Sequence, residues 1–218
     1  MSALDVLVIA SLRPQSWREY ETLTIDRAIP VLADAGAEVV GLWYTIIGTL
    51  DEAVTLVRYR DLAHWSDVEA RLAAATGATG ETLDRRAALC HAEHATLLAP
   101  SALAKGVALD LDGRAIFANR IQQLAPGAWP EYERITATEM WPRLIPRGGE
   151  PVGLWRALTG EANRSVLLTQ YEDLAAWEGT HPAPGSVPDD AADEARQRRK
   201  RLLLSEQVRL MRPGRYRP

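Results

Sequence analysis

Residues 17–65 read WREYETLTIDRAIPVLADAGAEVVGLWYTIIGTLDEAVTLVRYRDLAHW, and residues 129–177 read WPEYERITATEMWPRLIPRGGEPVGLWRALTGEANRSVLLTQYEDLAAW. At a constant offset of 112, with no gap, 21 of these 49 positions are identical. The matches include Trp17 with Trp129, Tyr20 with Tyr132, Gly36 with Gly148 and Trp65 with Trp177. A weaker echo follows at offset 113: Arg85-Arg86 before Glu93 and Pro100, then Arg198-Arg199 before Glu206 and Pro213. The chain is therefore one unit of about 100 residues written twice, placed at 1–105 and 106–218. Two copies are too few for a solenoid, so a pair packed about a pseudo-two-fold axis is expected.

Each copy reads β-α-β-β-α-β. Residues 4–12 are short, β-branched and bounded by Pro14, which marks a strand. Ser16 followed by Glu19 has the spacing of a capping box, and Trp17, Tyr20, Thr24, Ala28 and Val31 then fall on one helical face up to Gly36. Two strands joined at Gly48–Asp51 follow. A helix beginning at Asp61 carries Leu62, Trp65, Val68 and Leu72, and residues 81–92 continue as helix before a last strand, HATLLA. This order is the ferredoxin-like arrangement, with both helices on one face of an antiparallel sheet. The other face of each sheet needs a cover, and the second copy supplies one. The expected fold class is thus α+β: two ferredoxin-like units forming an α+β barrel within one chain. Asp112-Gly113 is a two-residue hairpin signal, and residues 181–190 read as a solvated loop.

The chain has 218 residues, 25 Lys plus Arg, 29 Asp plus Glu, a net charge of -4 and 47% hydrophobic residues. That is an ordinary globular composition, without the basic excess that draws nucleic acid or anionic membrane. No apolar stretch is long enough for a membrane span, and the first residues lack the basic start of a signal peptide, so a cytoplasmic location is expected. Cys90 is the single cysteine, which removes intramolecular disulfides and means that a zinc site would need other ligand types. The run at residues 196–201, RQRRKR, reads as a solvated helix face.

The Trp- and Tyr-bearing helix start, the V-G-L-W strand, the Y-x-D-L-A-x-W segment and the closing Arg209–Pro213 resemble the NIPSNAP family, within the dimeric α+β barrel group. The resemblance implies a barrel fold in a group that contains cofactor-independent oxygenases, isomerases and dehydratases alongside haem-binding enzymes, often acting on aromatic compounds. It transfers no catalytic residue. The acidic residue common after the Gly-Leu-Trp segment is replaced by Ile46-Ile47 in one copy and Leu158-Thr159 in the other.

Differences between the copies point to chemistry, since folding demands what both keep. Val8 and Ala10 become Arg120 and Gln122, side chains that share a strand face and could orient a carbonyl or carboxylate. Arg58 and Gln170 hold equivalent polar places on the third strand, and Trp43 and Trp155 are candidate aromatic walls. His64, replaced by Ala176 in the second copy, is the candidate general base, with Arg120 as its polar partner. His91 and His94 stand three apart in a stretch read as helix, with no third metal ligand in view, and Asp110-x-Asp112-Gly113 lacks the remaining oxygens of a calcium loop. No phosphate-binding glycine loop or nucleophile elbow is present.

The expectation is a cofactor-independent isomerase, cyclase or oxygenase of a small hydrophobic or aromatic molecule. The same cavity would equally serve a non-catalytic binding protein, and a filled barrel would mean a structural or interaction protein. A monomer suffices for the barrel; a homodimer through outer helices or an edge strand stays open.

Overall fold

The structure, a computed structural model, describes residues 3–103, 109, 115–181 and 190–217, with side chains from 194 onward in the last of these segments. The Asp112-Gly113 hairpin signal, the Asp110 motif and most of the loop expected at 181–190 lie outside the described residues. The chain divides into a first unit, Met1–Ala99 with Pro213–Pro218, and a second, Pro100–Arg212.

The first unit runs β1 (Leu4–Leu12), α1 (Trp17–Leu23), α2 (Ile29–Asp34), β2 (Glu38–Ile47), β3 (Glu52–Tyr59), α3 (Leu62–Ala73), α4 (Gly77–Ala88) and β4 (Cys90–Pro100). Its strands are antiparallel in the order β2-β3-β1-β4. The second unit repeats this with β5 (Ile116–Leu124), α5 (Trp129–Ile135), α6 (Trp141–Leu144), β6 (Gly149–Ala157), β7 (Arg164–Tyr171), α7 (Leu174–Gly179), α8 (Asp190–Arg201) and β8 (Leu203–Pro213), ordered β6-β7-β5-β8. Both are ferredoxin-like, as the repeat implied.

In each unit the helices cover one sheet face. Val6, Val57 and Leu97 of the first sheet pack there against Ile29, Leu32 and Val68. In the second, Leu154 and Leu167 pack against Tyr132 and Trp141. The helix-free face is buried too, with Trp43, Phe117 and Leu98 all fully enclosed. That explains the V-G-L-W strand: a Cβ on Gly41 or Gly153 would collide with the indole of Trp43 or Trp155, which folds back over the glycine two residues earlier on the same face.

Four local expectations need correction. Ser16 caps nothing with its side chain, because its backbone is helical rather than extended as an N-cap requires, and the Glu19 carboxylate is held by Arg85 Nε at 2.6 Å. The helix after Trp17 is interrupted by a π turn at Thr24–Ala28, and its counterpart by one at Thr136–Met140. Pro30 and Pro142 follow these turns, and a proline's missing N–H and ring clash disfavour the ordinary i→i−4 ladder. Leu62 is exposed rather than part of the buried α3 face. Finally, α4 ends at Ala88, so Cys90, His91 and His94 lie on β4, with His91 the extra residue of a bulge opposite Ser11 and Leu12.

Candidate functional site

The copies differ on the helix-covered face of their sheets. The first unit fills this face with Val6, Val8, Val57 and, from α3, Val68. Their counterparts are Ala118, Arg120, Thr169 and Thr180. α3 also runs twelve residues, whereas α7 stops after six. Smaller or polar side chains and a shortened helix leave a cavity of about 490 Å3, bounded by β5, β7, β8, α6 and α8. That volume falls within the usual range for small-molecule sites, roughly 300–1,000 Å3.

Leu144, Leu167, Trp141 and Tyr171 make the apolar part of the wall, and Arg120, Arg196, Arg199, Lys200, Glu206 and His181 the charged or titratable part. At one edge the buried Gln122 holds two neighbours. Tyr132 Oη donates to its Oε1, and its Nε2 donates to Glu206 Oε1 at 2.5 Å. Arg120 Nε stands 3.9 Å from the same Glu206 oxygen. Trp141 Nε1 and Thr169 Oγ1, both on wall residues, are buried with no hydrogen-bond partner. Such orphaned groups are uncommon in protein interiors.

His181 Nδ1 lies 3.0 Å from the Trp177 carbonyl oxygen. A carbonyl only accepts, so Nδ1 is the donor here, and in the neutral ring the lone pair lies on Nε2. The ring is fixed against Trp177, 4.5 Å between centroids. His181 escapes sequence reading because it stands where a loop begins; the available signal is that Glu69 occupies the same place in the first copy.

Of the residues singled out from sequence, Arg120 lines the cavity and Gln122 supports its edge. Gln170 does not join them. Strand alternation puts it on the helix-free face together with Trp155, where its Nε2 donates to Glu150 at 2.7 Å, so the sheet itself separates it from Arg120. In the first unit, Trp43 is a helix-free-face residue seated over Gly41. Arg58 donates to the buried Asp5 at 2.9 Å and pairs more loosely with Glu38 at 3.6 Å. His64 is buried with both ring nitrogens engaged, Nε2 on the Ala35 carbonyl at 2.8 Å and Nδ1 accepting from Arg60 N at 3.2 Å. It ties α3 to the end of α2 and offers neither a free lone pair nor a free N–H. The basic run is not wholly solvated, since Arg199 lies over the Tyr132 ring, 5.7 Å from its centroid. Among the described residues, no group of three His, Cys, Asp or Glu side chains is placed to hold a metal ion, and no helix is long and apolar enough to cross a membrane.

The profile of the NIPSNAP family matches residues 9–105 and again 119–218. A search of the curated proteins finds no match. Among solved structures, an anthrone oxidase-like protein aligns over 100% of this chain and 93% of its own, with a TM-score of 0.71 at 13% identity. A proposed monooxygenase of Lactobacillus acidophilus NCFM aligns over 98% and 94%, with a TM-score of 0.68 at 10% identity. A proposed monooxygenase of Fusobacterium nucleatum aligns over 97% and 92%, with a TM-score of 0.66 at 12% identity. At such identities the likeness shows a shared fold, that of the dimeric α+β barrel group, and leaves the chemistry to be argued from the site.

Proposed function

The chain belongs to the NIPSNAP family, and from that premise we propose that it is a small-molecule enzyme without a cofactor of its own, working in the cavity of the second unit. Its reaction class is proton transfer next to a carbonyl. His181 Nε2 takes the proton, and the Arg120 guanidinium holds the oxygen on which negative charge develops. Reprotonation at another carbon is isomerisation, attack within the same molecule is cyclisation, and capture by dioxygen is oxygenation. The observation that carries this reading is the contrast between the copies: where the first unit is filled by valines, the second has a cavity with Arg120, Thr169 and Thr180 on its wall. The names of the full-length solved relatives, two proposed monooxygenases and an anthrone oxidase-like protein, agree with it without specifying a substrate.

Native mass spectrometry of the purified protein is the first test, with an apolar or aromatic compound expected to be retained. In heavy water, NMR of that compound should then show deuterium entering next to its carbonyl, and His181→Asn should slow the exchange at least tenfold while binding persists. Exchange at an unchanged rate in His181→Asn removes the base. Retention without any exchange, in the native protein too, makes the chain a binding protein instead.

A further inference from the structure

We propose that the cavity takes an apolar compound by its carboxylate, that Arg199 is the anchor, and that Gln122 is the residue that sets Arg199 free for this task. The proposal rests on reading the cavity as a small-molecule site, and it adds the ligand's chemical class.

The argument lies in one network built two ways. In the first unit Arg86 is fully occupied. Its Nη2 donates to Tyr20 Oη and to Glu93 Oε2, each at 2.8 Å, its Nε donates to Thr24 Oγ1 at 3.2 Å, and its guanidinium sits 4.8 Å from the centroid of the Tyr20 ring. Every one of these residues has its counterpart in the second unit: Arg199, Tyr132, Glu206 and Thr136. Their bonding is different because Ala10 has become Gln122. The carboxamide accepts from Tyr132 and donates to Glu206, and Arg120, in the place of Val8, adds its own charge to Glu206. Two of the three partners of the arginine are thereby taken.

The third contact is broken as well. Arg199 Nε and Thr136 Oγ1, whose counterparts form a hydrogen bond in the first unit, are each buried without a partner. Arg199 keeps only its place over the Tyr132 ring and makes no side-chain hydrogen bond or ion pair with the described residues. A guanidinium with five donors and no acceptor, on the wall of a cavity, is best satisfied by a planar oxyanion that can take two of them at once. The apolar side of the wall, with Trp141, Tyr171, Leu144 and Leu167, suits an apolar or aromatic body, while Arg196 and Lys200 add positive charge beside Arg199.

The test compares 2-naphthoate with 2-naphthamide, which share a shape and differ in charge, by calorimetric titration of the full-length protein. Naphthoate should bind at least tenfold more tightly. Arg199→Met should erase that preference and leave the amide's affinity in place, and Arg199→Lys should restore part of it. Gln122→Ala, which puts back the first copy's residue and lets Arg199 fold onto Glu206 and Tyr132, should erase the preference without touching the anchor itself. Circular dichroism establishes that each variant is folded. Equal affinities in the native protein, or a preference that survives Arg199→Met, overturn the anchor while leaving the small-molecule site standing. If neither compound binds and native mass spectrometry finds nothing retained, both readings fall.

Discussion

Tyr20 and Tyr132 hold the same place in the two copies, but the phenol of Tyr20 is held chiefly by an arginine. Burial, offset in part by Arg86 and reinforced by Glu93, pushes the Tyr20 phenol up to about 12. In the unfolded chain a tyrosine titrates near 10. Up to that pH both states are protonated, and between about 10 and 12 only the unfolded chain ionises, so folding stability falls as pH rises through this window. Urea unfolding at pH 9 and pH 11.5 should show the loss, and Tyr20→Phe should reduce it, leaving the share of Tyr59, whose phenol burial also raises; an equal loss in the variant refutes the assignment. His64 offers a second measurement. His64→Ala leaves the Ala35 carbonyl and the Arg60 amide without their partner, which should destabilise the fold by about 1–3 kcal/mol in urea unfolding. Ligand affinity in the second unit should not change, since His64 is no part of that cavity.

Among the elements, the pair α3 and α7 decides which unit has a cavity, and the strand pair β1 and β5 decides its polarity. Arg120→Val restores the side chain that Val8 supplies in the first unit. Because a valine already packs well at that place, the variant should keep its stability to within about 1 kcal/mol. The ligand retained in native mass spectrometry should bind at least tenfold more weakly to it; unchanged binding would remove Arg120 from the site. Much of this was open to reading. The repeat, the order of elements and the exchange of Val8 and Ala10 for Arg120 and Gln122 stand in plain view, because an apolar residue turned charged inside a repeat is conspicuous. Thr169 and Thr180 were not, since valine to threonine keeps the shape and changes only a hydroxyl. Nor could alternation tell which sheet face the helices cover, because both faces are apolar and buried. With that ambiguity Gln170 and Arg120 read alike as candidate binding residues, although the sheet lies between them. The π turns were hidden for another reason: Tyr20, Thr24 and Ala28 keep helical spacing through a turn that is locally wider.

At the scale of the molecule, each unit is completed by a segment that follows a distant strand. In the first, Gly214 N donates to the Leu42 carbonyl at 2.7 Å, and Arg215 binds the buried Glu21 through its backbone amide at 2.5 Å and its Nε at 2.7 Å. In the second, Ser101 N donates to the Leu154 carbonyl at 2.8 Å, and Ser101 Oγ and Ala102 N donate to Glu133 at 2.5 and 3.1 Å. Glu21 and Glu133 are equivalent, which explains why an acidic residue is kept at a place that is buried in the first unit. Ending the chain at Arg212 should therefore cost the first unit about 1–3 kcal/mol, less than a fully buried pair because Arg215 is itself largely exposed. Hydrogen exchange should rise at the α1 and β2 amides and stay unchanged around Glu133; uniform protection in the shortened chain would show that the tail contributes nothing.

This arrangement has a consequence for biosynthesis. The residues that satisfy Glu21 leave the ribosome more than a hundred positions after β4, so the first unit cannot reach its final stability until Gly214 and Arg215 have been made. Until then a buried carboxylate lacks its counter-charge, and the nascent half stays open to rearrangement or to holding by chaperones. Maturation of the first unit therefore waits for the whole of the second to be synthesised.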